Sequence, residues 1–222
     1  MARLRQVFGA FVAAAAAMAV WPAAGAQEGG TRAVNWDRAL ATIASYRTIL
    51  DISGLVEVDA RIPAVDAEDL GALCDARQTA LRLARSAGEA DLMALGPFRD
   101  PITDARRADV LRYLGTVAIF DGRVDEALAR FTAGREALAP YVDEYADLRP
   151  KAIALEEALG VAAMRRGETE NCLVNPSADR CLFPLREGGR HHAPAGAAAA
   201  LEHFTRVLDA DPENLEARWL LN

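Results

Sequence analysis

The sequence predicts an all-α fold, built as an array of helix hairpins with a long loop insertion inside one repeat. Three observations predict it. Alanine and leucine dominate, and aromatic residues make up only 6% of the 222 residues, a composition that favours helix over strand. Apolar residues recur at helical spacing, as with Leu111, Leu114 and Ala118 on one face. A Leu-Gly step at Leu114-Gly115 returns at Leu159-Gly160, and the residues around it return with it.

The chain opens with MARLRQVFGAFVAAAAAMAVWPAAGAQ. Arg3 and Arg5 give a basic start, Val7 to Val20 is apolar, and Ala24-Gly25-Ala26 makes a small-residue cleavage site before Gln27. This reads as a secretory signal peptide over residues 1–26. Its apolar run is short for a membrane span, which needs about 20 residues, so no stable membrane insertion is expected after cleavage. Residues 27–34 read as a flexible mature N-terminus, and 35–222 as one helical domain. The expected location is periplasmic or secreted. The whole chain carries a formal charge of −7. Removing the leader takes away Arg3 and Arg5 and no acid, which leaves −9. Such a surface repels nucleic acid and anionic lipid.

The first helix is expected in VNWDRALATIASYRTILDISG, with Trp36, Leu40 and Ile43 apolar. The second lies in AEDLGALCDARQTALRLARSAGE, starting near Asp66 or Ala67, with Cys74 as a buried thiol. Stretches 54–63 and 96–101 read as loops. A third helix spans Ala108 to Phe120, Gly122 marks a turn, and a fourth spans Val124 to Leu138. Tyr141 to Arg149 extends toward a further helix, with Pro150 as its breaker.

The repeat is clearest in VLRYLGTVAIFDGRVDEALARFTAGREALAP. Small residues at Gly115, Ala118 and Ala127 let two helices approach, with Phe131 on the second. The next Leu-Gly step sits in ALEEALGVAAMRRGE, and Gly167 follows Gly160 at the spacing of Gly122 from Gly115. The matching second helix comes only at Ala200 and Phe204, in AAALEHFTRVLDADP. Gly115 and Ala127 are 12 positions apart, Gly160 and Ala200 are 40 apart. The excursion therefore adds 28 residues, at about 168–195, on the side of an array where such insertions often form a binding face. Pro212 opens another first helix, with Leu215, Trp219 and Leu220 on its apolar side. Its partner is absent, so the last repeat reads as incomplete. Leu114, Gly115, Ala118, Ala127, Phe131, Leu159, Gly160, Ala200, Phe204 and Trp219 are the expected packing residues.

The pattern of Leu-Gly, a small residue, Gly, Ala, Phe and a terminal Pro resembles the tetratricopeptide repeat over Leu111–Pro140. It does so again over Leu159–Gly167 joined to Ala200–Pro212. Gly134 stands where that repeat usually has a small alanine. A further resemblance lies in LGVAAMRRGETENCLVNPSADRCLFPLREGGRHH followed by NLEARWLLN. The segment with Asn171-Cys172, Cys181, Phe183-Pro184 and Gly188-Gly189-x-His191 is similar to the repeat region of secreted bacterial FG-GAP/VCBS and ASPIC/UnbV-type proteins. The likeness covers roughly residues 105–222. It implies an architecture and a compartment rather than a reaction, and a C-terminal propeller-type domain, absent from this chain, as one partner.

The insertion holds the residues with chemistry to offer. Cys172 and Cys181, nine positions apart, are expected to form a disulfide in an exported protein. Closing that loop is worth about 2.7 kcal/mol before strain. The alternative is a copper or zinc site on Cys172, Cys181, His191 and His192, with His203 in reserve. Neighbouring histidines diverge, and no Cys-x-x-Cys pair is present. Without C-x-x-C-H there is no support for covalent haem, and no cofactor is expected. Ser177, His191 and Asp179 lack any nucleophile motif around the serine. Glu156-Glu157, Glu168 and Glu170 read as a solvated face. Trp36, Tyr46, Tyr113, Tyr141 and Tyr145 are too scattered to line a sugar groove. The expected function is a scaffold contacting a protein partner or another domain, with no catalysis of its own.

Overall fold

The computed structural model describes residues 62, 68–179, 184 and 186–221. The expected signal peptide, the 27–34 segment, the first helix around Trp36 and Tyr46, and Cys181 lie outside the described residues. Those described are helical or in turns, with no strand among them, as the composition requires. No helix among them is long and apolar enough to cross a membrane.

The first described helix, α1, is Leu70–Ala94. Asp69 caps it by accepting a hydrogen bond from the Ala72 amide at 3.0 Å. It ends at Gly96, whose φ of +60° suits glycine. Cys74, expected to be buried, is exposed. The covered side of α1 runs through Ala76, Ala80, Leu81 and Ala84, and Cys74 lies off it.

Helix α2 is Pro101–Phe120, two turns longer at its start than the apolar pattern indicates. Pro101 belongs to this helix rather than to a loop. Asp100 accepts from the Ile102 and Thr103 amides and from the Thr103 hydroxyl, and proline in the first turn loses no hydrogen bond. Gly122, at φ +73°, makes the tight turn into α3, Val124–Leu138. Helix α4 is Arg149–Glu168 and follows a single 3₁₀ turn, Ala146–Leu148. Pro150 is therefore the start of a helix and not a breaker, again because its missing amide is wanted nowhere else. α4 runs without a break into a π turn, Thr169–Leu173. Helix α5 is Ala195–Ala210, directly after Pro194. Helix α6 is Leu215–Leu221, with Asn214 capping the Ala217 amide at 2.8 Å.

Each helix packs chiefly on its neighbours in sequence, and the closest pairs are α2 with α3 and α4 with α5. In the first pair Phe131 packs against Gly115. A β-carbon there would stand 2.3 Å from the ring. In the second, Phe204 lies against Gly160, where a β-carbon would stand 2.6 Å away. Leu114, Ala118, Ala127, Leu159 and Ala200 are buried around these contacts. Gly134 admits Leu155, which joins α3 to α4. Gly167 does not turn the chain. It stays helical, and Gly196 of α5 crosses it so closely that a β-carbon on Gly196 would lie 2.5 Å from the Gly167 nitrogen. Trp219, expected among the packing residues, is 77% exposed. Ala217, Leu220 and Leu221 make the contact with the core instead, because they, rather than Trp219, share the side of α6 that meets the preceding helices.

Candidate functional site

Three places on the α4–α5 pair combine polar side chains with burial or a concavity. The first is the base of the excursion. Asn171, on the π turn, is buried. Its Nδ2 donates to the Gly167 carbonyl at 2.8 Å and to the Ala193 carbonyl at 2.8 Å. Its Oδ1 accepts from the Ala193 amide at 3.0 Å. One side chain thus ties residue 171 to residue 193 through both backbone groups of Ala193. Together with the Gly167–Gly196 contact, this closes the excursion at its neck. Inside the loop, Asp179 and Ser177 press on Gly188, where a β-carbon would lie 2.8 Å from Asp179 Oδ2. The Asp179 amide donates to Ser177 Oγ at 3.3 Å, so that serine is a turn element.

Cys172 is a free thiol, with Sγ 3.9 Å from His191 Nε2. His192 is exposed beside it. The structure therefore brings Cys172 and His191 together, while the other half of the expected disulfide, Cys181, lies outside the described residues. Among the described residues no three histidine, cysteine or carboxylate side chains are placed to share a metal ion. His203, the reserve ligand, lies within α5, twelve positions after His191, and faces a different group.

That group is Glu156, in the second place. Glu156 on α4 reaches between α3 and α5. Arg135 Nη1 lies 2.9 Å from its Oε1, and His203 Nδ1 lies 2.7 Å from its Oε2. Arg206 adds a third contact at 3.6 Å. Burial opposes the charge on Glu156. The hydrogen bonds from His203 and Arg135 outweigh it, so the carboxyl is held below its ordinary range. A cleft of about 280 Å³ opens beside it, lined by Leu138, Val142, Ile153 and Val207 among others. The solvated face expected for Glu156 is replaced by a paired, half-buried one.

Glu157 forms the third place, and it points the other way. It is 8% exposed, and its Oε1 has no hydrogen-bond partner. Burial, followed by the nearby Glu216 carboxylate of α6, pushes it up to about 7; Arg112 of α2 pulls in the opposite direction and Asp211 adds to the push. The solvated reading fails for this residue too. It survives for Glu168 and Glu170, which pair with Arg165 and Arg166 on the surface.

None of these groupings has a local signature. His203 and Glu156 are 47 positions apart and Asn171 and Ala193 are 22 apart. The one available signal was the length of the excursion itself, whose ends must be fastened somewhere. Comparison with protein-family models, with curated proteins and with solved structures finds no match.

Proposed function

We propose that this chain is an exported helical-repeat scaffold of the tetratricopeptide kind. It makes contacts with a protein partner or with a further domain of its own polypeptide and has no catalysis of its own. The observation that supports the reading is the paired contact of Phe131 on Gly115 and Phe204 on Gly160. Two helix pairs reuse one packing solution, as stacked repeat units do. The buried acids serve structure or recognition, Glu156 being neutralised by Arg135 and His203. Export rests on the leader-like start, and a propeller-type partner on the resemblance of the excursion.

A photo-crosslinking amino acid placed at Trp219 in the exported protein tests the reading. The expected product joins residue 219 to another polypeptide, or to a distant segment of the same one. The same probe at exposed Leu83 serves as the control. Equal, diffuse labelling from both positions overturns the proposal.

The approach of Cys172 to His191 favours a second reading, a copper- or zinc-binding insertion. Metal analysis after dialysis against either ion checks it. Stoichiometric metal that is lost in His191→Ala supports the reading, and a metal-free protein removes it.

A further inference from the structure

We infer that the open cleft between α3, α4 and α5 is a binding site for a small organic monocarboxylate with an apolar body, a short fatty acid being its simplest form. This site is separate from the partner contacts proposed above and goes beyond them.

The cleft is apolar except at three side chains. Its volume is about 280 Å³, near the lower end of small-molecule sites, which begin at about 300 Å³. That room suits a single ring or a short hydrocarbon chain. Leu138 at the end of α3 and Val207 on α5 back the cleft onto the core, 1% and 0% exposed. Val142 and Ile153 are half-buried along it. Ala152 and Ala210 line it with single methyl groups, which leaves the space unfilled. A hydrocarbon group that enters such a hollow leaves water at a gain in free energy.

The charged residues select what that group carries. The charged side chains lining the cleft are Arg135, Glu156 and Arg206, two cations against one anion. Glu156 is already matched, by Arg135 Nη1 at 2.9 Å and His203 Nδ1 at 2.7 Å. Arg206 reaches its Oε2 only at 3.6 Å, beyond hydrogen-bond length. The other contacts of Arg206 are His203 Nδ1 at 3.3 Å and Glu202, which is 71% exposed and does not line the cleft. Both guanidiniums face solvent, Arg135 at 37% and Arg206 at 47% exposure. Each carries five N–H donors in a fork that suits a carboxylate. The cleft lining thus has one positive charge in excess, on a chain whose formal charge is −7. That excess matches a single carboxylate. A phosphate dianion would meet Glu156 already in place, and an ammonium group would meet two guanidiniums.

Calorimetric titration of the purified full chain with octanoate, octanol and acetate tests the inference. Octanoate is expected to bind at one site per chain with sub-millimolar affinity. Octanol keeps the hydrocarbon and loses the charge; acetate keeps the charge and loses the hydrocarbon. Each is expected to bind at least about ten-fold more weakly, the scale of one charge-assisted hydrogen bond. Arg206→Gln, at an exposed position, is expected to weaken octanoate about ten-fold and to leave octanol unchanged. Ala152→Leu fills the cleft and is expected to remove binding of both. Circular dichroism spectra like that of the wild type show that neither loss comes from unfolding. Should Ala152→Leu unfold, Arg206→Gln and the ligand series decide alone. Equal affinity for octanol and octanoate overturns the inference. So does octanoate binding that neither substitution alters, or an absence of binding at about 1 mM octanoate. All of these outcomes leave the scaffold reading standing.

Discussion

The α2–α3 and α4–α5 pairs share one contact and differ in nearly everything around it. In the first pair Phe131 covers Gly115, Gly122 turns the chain in three residues, and the buried Asp104 is fully matched by arginines. In the second, Phe204 covers Gly160 in the same way, but the chain leaves α4 for 26 residues before α5 begins. The second pair also holds Glu157, whose Oε1 is unmatched. The contact itself therefore does not depend on the connection. A closed unit with satisfied polar groups is what packing alone requires. The second pair departs from that at two points, its long excursion and its unmatched carboxyl oxygen.

The strongest test of that equivalence removes the aromatic rings. Phe131→Ala and Phe204→Ala each leave a hole against a glycine that cannot fill it. Each is expected to destabilise the fold by about 3–5 kcal/mol, read from urea unfolding midpoints. If the contacts are equivalent, the two losses agree within about 1 kcal/mol, on the scale of a single buried methylene. A Phe204→Ala loss under half that of Phe131→Ala would show that the long connection weakens the second unit, and would break the comparison.

The opposite change is smaller. Gly115→Ala and Gly160→Ala push a methyl into a ring, and overpacking of this kind costs about 1–3 kcal/mol. Gly115→Ala is expected to cost more, because the ring stands at 2.3 Å from the new atom rather than 2.6 Å. Thermal melts of the two variants supply the order. A reversed order would mean that α5 is held more rigidly than α3.

These contacts were legible in the sequence because they are steric and periodic. A glycine, an alanine and a phenylalanine at fixed spacing on two helices have few other arrangements. The insertion was legible as a length. What fastens it was not, since Asn171 meets Ala193 only after the loop has returned. Local rules also misled where a residue type has two uses. Pro150 stops a helix if it follows one and starts a helix if it leads one, and only the 3₁₀ turn before it decides. Gly167 has the spacing of the turn glycine Gly122, yet the close approach of Gly196 holds it in a helix. Glu156 and Glu157 sit on a central helix covered on both sides, and that coverage is a tertiary fact.

Asn171 has no counterpart in the first pair, so changing it probes the difference directly. Asn171→Ala removes three hydrogen bonds and takes the side-chain partner from both the amide and the carbonyl of Ala193. The expected loss is about 1–3 kcal/mol, the cost of stranding a buried polar group. Its local effect should exceed the global one. Limited proteolysis is expected to cut within residues 172–192 well before the helices open. Cleavage that stays at the wild-type rate would show that another link holds the neck.

The last effect, at Glu157, is read from its dependence on pH. Its sign separates it from its neighbour. An acid raised from 4.5 to about 7 in the fold takes its proton more readily folded than unfolded. Stability therefore falls as pH rises from 4.5 through about 7 and levels off above that. Glu156, held below its ordinary value, acts in the other direction. It stabilises the fold above its unfolded titration range, and that contribution is lost as pH falls through its folded one. Unfolding midpoints measured from pH 4 to 8 should show Glu157→Gln flattening the upper half of the profile and gaining stability at pH 8. Glu156→Gln should lose stability there. If both substitutions moved the midpoint at pH 8 in the same direction, the two faces of α4 would be electrostatically alike. The second pair would then be as closed as the first.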